Sequence, residues 1–405
     1  MKKRGILMLP GPNEPYPEIL DELKKMILPH YGEDWDEVYI KTCEEMKEVF
    51  LTANSQVIIW PGSGASAIEL VVANLLDEGD KIINLKNGFF GDFFESKTRS
   101  YGGKVINVES EFGKSVKPEF VRHIVKENPD AKAIFVVQSE TSSGTLNPIK
   151  EIGEIAEETN KLLVVDAISS LGGTELRMDK WGVDVCIGYA SKCLGSIGVL
   201  SPIAFSERVW NLAEKTGREV KPYFLSLKAW KTMRWGGPHP LTMPTLNVLA
   251  LRIAIHLALK EGLENRFRRH HTVGRAFREG VRAMGLEVLP TEQEAADSVT
   301  AVLVPSGMES RVRALLREEY NIIVGGSLGS YGKDRLLRVG HMGLTASPEY
   351  VVPTLYALEQ VMKKVGVDVR EGEAVKTAIE IFKSKPNEWI NALLARYNLK
   401  SLPDL

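Results

Sequence analysis

Cysteine is scarce in this chain: Cys43, Cys186 and Cys193 are the only three in 405 residues. They are too few for a disulfide framework and lack metal-ligand spacing, so a reducing compartment is favoured and no metal site is implied. No run approaches the roughly 20 apolar residues that span a bilayer. The opening MKKRGILMLPGP is basic, but its apolar run before Pro10 is too short for a secretory signal, and the closing SLPDL is not a peroxisomal address of the SKL type. Charge of one sign is also missing, because 51 basic residues against 53 acidic ones leave a formal net charge of −2. Such a balance recruits neither nucleic acid nor an anionic membrane. The expected partners are small molecules and the expected location is cytoplasmic. The chain has no internal repeat and no low-complexity segment.

What is present is an ordinary globular composition, 44% hydrophobic and 26% charged, in a chain long enough for two or three cores. β-Rich runs at Val57–Trp60, Lys81–Asn84, Lys104–Val108, Ala133–Val137, Leu162–Val165, Val185–Gly188 and Val199–Phe205 alternate with helical patterns at Ala65–Leu76, Glu119–Lys126 and Ile149–Thr159. Alternation with short connections predicts an α/β fold with a mainly parallel sheet covered by helices on both faces. Active sites in such sheets lie at the carboxyl ends of the strands. After the Trp-, Gly- and Pro-rich segment Lys221–Pro244, the pattern predicts one long helical stretch over Thr245–Met284, whose basic run Arg266–His271 reads as a solvated helix face. A smaller β/α region follows, with strands at Val299–Val304, Ile322–Val324 and Leu336–Gly340 and a helix at Glu349–Val365. The expected division is an arm (1–15), a large domain (16–255), a small domain (256–368) and a C-terminal extension (369–405) with helices near Glu371–Lys383 and Asn387–Tyr397.

Polar clusters fall at the ends of the expected strands. Leu162–Val165 runs into Asp166, and a second apolar stretch, Val183–Gly188, ends shortly before Lys192, which is flanked by Ser191 and Cys193. An acid and a lysine at successive strand ends suit a pyridoxal phosphate enzyme, in which the lysine forms a Schiff base and the carboxylate keeps the pyridine nitrogen protonated. The pair alone also suits an Asp that opens a turn and a solvated Lys. PGSGASAIELVVANLL, residues 61–76, places Gly62 and Gly64 at a strand-to-helix turn, where the N–H groups of Ser63, Ala65 and Ser66 can receive a phosphate. It is neither a Walker loop nor a full GxGxxG motif, and a capped helix after a glycine turn gives the same pattern.

Three further segments carry candidate contacts. NGFFGDFF, residues 87–94, puts Phe89 and Phe90 in a loop after a strand, where one ring could stack on a planar cofactor while the others pack in the core. QSETSSGTLNP, residues 138–148, offers Thr141 as a hydrogen-bond partner for a ring hydroxyl or for Asp166, or else forms a Ser/Thr-rich cap. RLLRVG, residues 335–340, sets Arg338 inward in an apolar strand and Arg335 outward. A planar fork in that position suits either an internal salt bridge or a two-point grip on a substrate carboxylate.

Taken together, these motifs make the chain similar to the class V aminotransferases of pyridoxal phosphate fold type I, specifically the alanine–glyoxylate and serine–pyruvate group. The resemblance runs from PGPNEP at residues 10–15 to Leu336–Gly343, and its specific marks are GSGASAIE, NGFFG, ETSSG, VVDAISSLGG, SK at 191–192 and LLRVG. It implies pyridoxal 5′-phosphate as cofactor, with Lys192 as its lysine and Asp166 on the ring nitrogen. Phe90 takes the stacking position, Thr141 a polar contact, and Ser63, Gly64 and Ala65 the phosphate; Ile168 and Ser191 line the same pocket. Gly11 and Arg338 would meet the substrate, and PHPLT at 238–242 would bring His239 and Thr242 across a homodimer interface to the phosphate. The implied reaction is ping-pong transfer from a small amino acid such as alanine or serine to glyoxylate or pyruvate. Phe90 departs from a common tryptophan and His239 from a common tyrosine. A cysteine desulfurase shares the fold and is the main alternative, but Asn321–Lys333 contains no cysteine. A noncatalytic α/β binding module is a more distant one.

Overall fold

The computed structural model describes residues 5–25, 27–215, 223–233 and 241–384. Its strands are β1 (Ile6–Met8), β2 (Gln56–Pro61), β3 (Lys81–Lys86), β4 (Lys104–Glu109), β5 (Ala133–Val137), β6 (Ser139–Glu140), β7 (Thr145–Leu146), β8 (Leu162–Asp166), β9 (Val185–Ile187), β10 (Leu200–Phe205), β11 (Glu287–Val288), β12 (Val299–Leu303), β13 (Ile322–Val324) and β14 (Leu336–Gly340). The helices of the first part are α1 (Pro17–Glu22), α2 (Glu33–Phe50), α3 (Gly64–Leu75), α4 (Phe89–Ser100), α5 (Pro118–Glu127), α6 (Ile149–Glu158), α7 (Glu207–Lys215) and α8 (Leu227–Met233). Those of the second are α9 (Thr245–Glu261), α10 (Leu263–Ala283), α11 (Glu309–Tyr320), α12 (Pro348–Lys364) and α13 (Glu373–Ser384).

Seven strands form the central sheet in the order β2-β10-β9-β8-β5-β3-β4. Every neighbouring pair is parallel except those of β10, which runs antiparallel to both β2 and β9. The interior strands read AIFVV and LLVVD and are buried along their whole length. Such continuous apolar runs are what a sheet covered on both faces requires. One core, from Trp35 to Ile255, surrounds this sheet, and a second gathers Met8 with residues from Val273 to Phe382 around the antiparallel sheet β11-β12-β14. The amino-terminal strand β1 pairs with β13, so the chain begins in the second core and crosses to the first. Helix α13 inserts Ala374, Ala378 and Phe382 into that second core.

Three expectations are corrected. Thr245–Met284 is two helices: Gly262 sits between them at φ 81° and ψ 128°, outside the helical region and accessible at little cost to a residue without a β-carbon. NGFFG is not a loop, because Phe89 and Phe90 open helix α4. The basic run of α10 is not a solvated face, since Arg266, Arg269 and His270 are buried. Arg266 donates to Gly172 O at 2.7 Å, to Cys193 O at 2.6 Å and to Glu261 Oε2 at 2.8 Å. Arg269 reaches Glu261 and the carbonyls of Gly343 and Ala346. The bonded carbonyls and a shared carboxylate offset the desolvation of two guanidinium groups, which helical periodicity cannot reveal. The expected helix at Asn387–Tyr397 lies outside the described residues. No described helix is long and apolar enough to cross a membrane.

Candidate active site

Asp166 closes β8 at the carboxyl edge of the sheet and is buried. Its register partners are Val137 on β5 and Ile187 on β9, so the hairpin β6–β7 flanks it on one side and the segment leading to Lys192 on the other. Asp166 Oδ1 accepts the Ile168 N–H at 2.8 Å, which orients the carboxyl and leaves Oδ2 for a cationic partner. Burial pushes its pKa up to about 7, and the nearby negative charge of Glu140 acts in the same direction. Lys192 is partly buried, and its Nζ donates to the carbonyl of Pro10. Burial brings its pKa down to about 8, helped by the positive charge of Arg338 and opposed by Asp166.

The amino-terminal segment encloses the lysine. Gly11 adopts φ 110°, and a β-carbon there would lie 2.4 Å from Lys192 Cε and 2.5 Å from Nζ. Asn13 Nδ2 donates to Lys192 O at 2.7 Å and to Met342 O at 3.0 Å, tying the segment to the lysine turn and to the chain just after β14.

Strand β2 delivers the glycine turn. Ser63 caps α3, its side chain accepting the Ser66 N–H at 3.3 Å. Ser66 Oγ in turn donates to Ser63 O at 2.8 Å and accepts from Trp60 Nε1 at 2.9 Å. Gly64 is buried between exposed Ser63 and Ala65, and a β-carbon on it would come 2.5 Å from Ile168 Cδ1. The open helix start therefore packs directly against the turn that follows Asp166. Ser191 is buried beside Lys192.

Arg338 lies in β14, 8% exposed, while Arg335 is on the surface just before the strand, whose two faces are both buried. Its Nε donates to Gly326 O at 2.5 Å and Nη1 to Thr141 O at 3.3 Å. Phe90 is half-buried and meets Phe89 edge-on, with centroids 5.3 Å apart. Thr141 is buried. Thr242 is exposed just before α9, and His239 lies outside the described residues.

The sequence model of the class V aminotransferase family matches residues 25–339. The chain belongs to the class V aminotransferases. An uncharacterized aminotransferase of Methanocaldococcus jannaschii is 36% identical over 93% of this chain and 97% of its own length. The pyridoxamine–pyruvate transaminase of Mesorhizobium japonicum is 30% identical over 93% and 96%. Among solved structures, the ureidoglycine–glyoxylate aminotransferase of Bacillus subtilis superposes with a TM-score of 0.90 at 28% identity, over 95% of this chain and 99% of that one.

The cofactor of this class V aminotransferase is pyridoxal 5′-phosphate, and the residues present fit it. The glycines at 11 and 64 let the backbone approach Lys192 and Ile168 closely, the α3 start offers N–H groups to a phosphate, and buried Asp166 ends β8 while partly buried Lys192 lies in the turn after β9. A thiol suited to desulfuration is missing from this aminotransferase. All three cysteines are buried, and Cys193 donates to Ser169 O at 3.2 Å with its pKa pushed up to about 12 by burial.

Two groups at the site are not among those the sequence singles out. Arg266 holds the Cys193 and Leu194 carbonyls just after Lys192, and Glu140 is fully buried one residue before Thr141. The signal for Glu140 was an ionisable side chain at the end of the apolar run AIFVV, with no lysine or arginine nearby in sequence.

Proposed function

We propose that this aminotransferase passes the amino group of a small amino acid, alanine or serine, to glyoxylate or pyruvate in a ping-pong cycle. The observation that carries the reading is the partly buried Lys192 amine, which donates to the Pro10 carbonyl beside Gly11 and feels the charges of both Asp166 and Arg338. Pyruvate and glyoxylate are the acceptors named for the Mesorhizobium and Bacillus relatives, which supports a short 2-oxoacid.

In this reading Ser63, Gly64 and Ala65 receive the cofactor phosphate, with Ser191 and Ile168 beside it. Phe90 covers one face of the ring, Thr141 lies at its polar edge, and Asp166 keeps the ring nitrogen protonated. When bound, the cofactor supplies an aldehyde to hold the amino group and an electron sink for the α-carbon. Arg338 orients the substrate carboxylate without taking part in bond making. Once displaced from the aldehyde, Lys192 Nζ takes the α-proton of the donor and returns it on the other side of the exchange, a task for which an amine titrating near neutrality is suited. Residues 16–255 and 256–368 would act as the cofactor-holding and carboxylate-clamping units, with Met8 of the arm and Ala374, Ala378 and Phe382 of the C-terminal segment packed into the second core.

The same reading makes the enzyme a homodimer whose partner copy brings His239 and Thr242 to the phosphate. Exposed Leu20, Ile27, Tyr31 and Phe224 support this, and Phe224 meets Trp60 at 4.6 Å beside the α3 start. Three buried cysteines that form no disulfide agree with a cytoplasmic, reducing location.

The test is a half-reaction. Purified full-length enzyme loaded with pyridoxal 5′-phosphate is mixed with alanine, serine, aspartate or a ureidoglycine-like donor. The aminated form is then assayed with glyoxylate, pyruvate and 2-oxoglutarate. Loss of the cofactor's aldehyde absorbance with stoichiometric 2-oxoacid release from alanine or serine is expected. If no donor produces it, the reading fails.

A further inference from the structure

Glu140 is fully buried and makes no ion pair among the described residues. Ionised carboxylates are costly in such surroundings unless every lone pair is used. Here they are used. Oε2 accepts the N–H groups of Phe90 at 3.0 Å and Gly91 at 3.3 Å, while Oε1 accepts the N–H of Ser142 at 3.0 Å and its Oγ–H at 2.5 Å. Ser142 Oγ then accepts the Phe89 N–H at 3.0 Å.

The Phe89, Phe90 and Gly91 N–H groups belong to the first turn of α4, whose N-cap, Gly88, has no side chain to cap it. A β-carbon at Gly88 would lie 2.4 Å from Ser142 Oγ and 2.5 Å from Glu140 Cγ, so the glycine is what lets the acid come so close. Ordinary capping needs only a local Ser, Thr, Asp or Asn. Instead, an acid brought by a hairpin on another strand does the capping, and the same hairpin bears on a second element. Thr141, between Glu140 and Ser142, offers its carbonyl to Arg338 Nη1. One short segment thus fixes the helix start that carries Phe90 and the backbone oxygen that holds Arg338.

We propose that Glu140 is a positioning residue for amino transfer: its carboxylate sets Phe90 against the cofactor ring and, through the Thr141 carbonyl, aims Arg338 at the substrate carboxylate. This rests on the roles given to Phe90 and Arg338 in the proposed function. Glu140 touches neither ligand in this scheme and acts through both groups. Burial pushes the Glu140 pKa up, four hydrogen bonds oppose that rise, and its charge when ionised is felt at Asp166 and at Arg338.

The experiment compares wild-type holoenzyme with Glu140→Gln and Ser142→Ala. An amide at 140 can accept from one pair of donors but turns an NH₂ toward the other, so the segment must shift. A roughly tenfold to hundredfold fall in kcat/KM is expected for Glu140→Gln, with a raised KM for the 2-oxoacid and a weakened induced circular dichroism of the bound cofactor. Ser142→Ala keeps the carboxylate and should move the same two readouts in the same direction by roughly twofold to tenfold. A Glu140→Gln enzyme with wild-type KM and dichroism overturns the proposal, even if its melting temperature falls, because a purely structural role predicts that pattern. Should Glu140→Gln not fold, Ser142→Ala decides, and unchanged KM and dichroism overturn the proposal. Wild-type enzyme that fails to transfer amino groups at all would instead count against the proposed function.

Discussion

The position of a β-carbon on Gly11 lies 2.4 Å from Cε of Lys192. The segment before the first helix is therefore shaped around the lysine and shares its pocket. Gly11→Ala must either move the lysine or displace a backbone that already has φ 110°. We expect kcat to fall by at least about tenfold, with pyridoxal phosphate still bound. Steady-state kinetics beside the visible spectrum of the loaded enzyme check this.

Asp166 gives a prediction of opposite sign for stability and activity. Burial raises its pKa from 3.8 to about 7, so the folded cofactor-free protein holds a proton that the unfolded chain has released. That proton favours folding below about pH 4, and the gain is lost as pH rises through about 7. Lys192 runs the other way: its pKa near 8 against an ordinary 10.5 weakens folding below pH 8, and the penalty is relieved between pH 8 and 10.5. Asp166→Asn should remove the decline between pH 4 and 7 in urea unfolding of the cofactor-free protein. The same variant should lose most transaminase activity.

Arg338 tests the carboxylate clamp. Its fork reaches two carbonyls, and a lysine retains the charge without the geometry. Arg338→Lys should raise the KM for the 2-oxoacid by about tenfold or more while leaving cofactor loading intact. Equal loss of cofactor and substrate affinity would assign the residue to the fold instead.

Arg266 is expected to matter for stability. Removing it strands Glu261 beside a single remaining arginine and frees the Gly172 and Cys193 carbonyls. Arg266→Met should cost about 3–5 kcal/mol in chemical unfolding, the range for breaking a buried ion pair.

Much of this was legible in the sequence because its causes are local. Continuous apolar strands such as AIFVV, the glycine turn before α3 and polar residues at strand ends all leave patterns in the chain itself. Arg338 sits inside the apolar run LLRVG, which is buried throughout, and exposed Arg335 precedes it. What stayed hidden depends on partners far away in sequence. Arg266 and Arg269 look like a charged helix face until the carbonyls of residues 172, 193, 343 and 346 arrive to satisfy them. Glu140 reads as one more polar residue until α4 brings its first-turn N–H groups to it. The break at Gly262 was visible as a glycine, but helical periodicity on both sides concealed it.

The central claim is that Lys192 moves the proton during amino transfer. Its most direct test is a single-turnover reaction of holoenzyme with deuterated and protiated alanine, comparing wild type with Lys192→Ala. We expect the wild type to release one pyruvate per site with a primary isotope effect, and the variant to bind alanine but release none on the same timescale. Pyruvate release by Lys192→Ala at the wild-type rate would contradict the account.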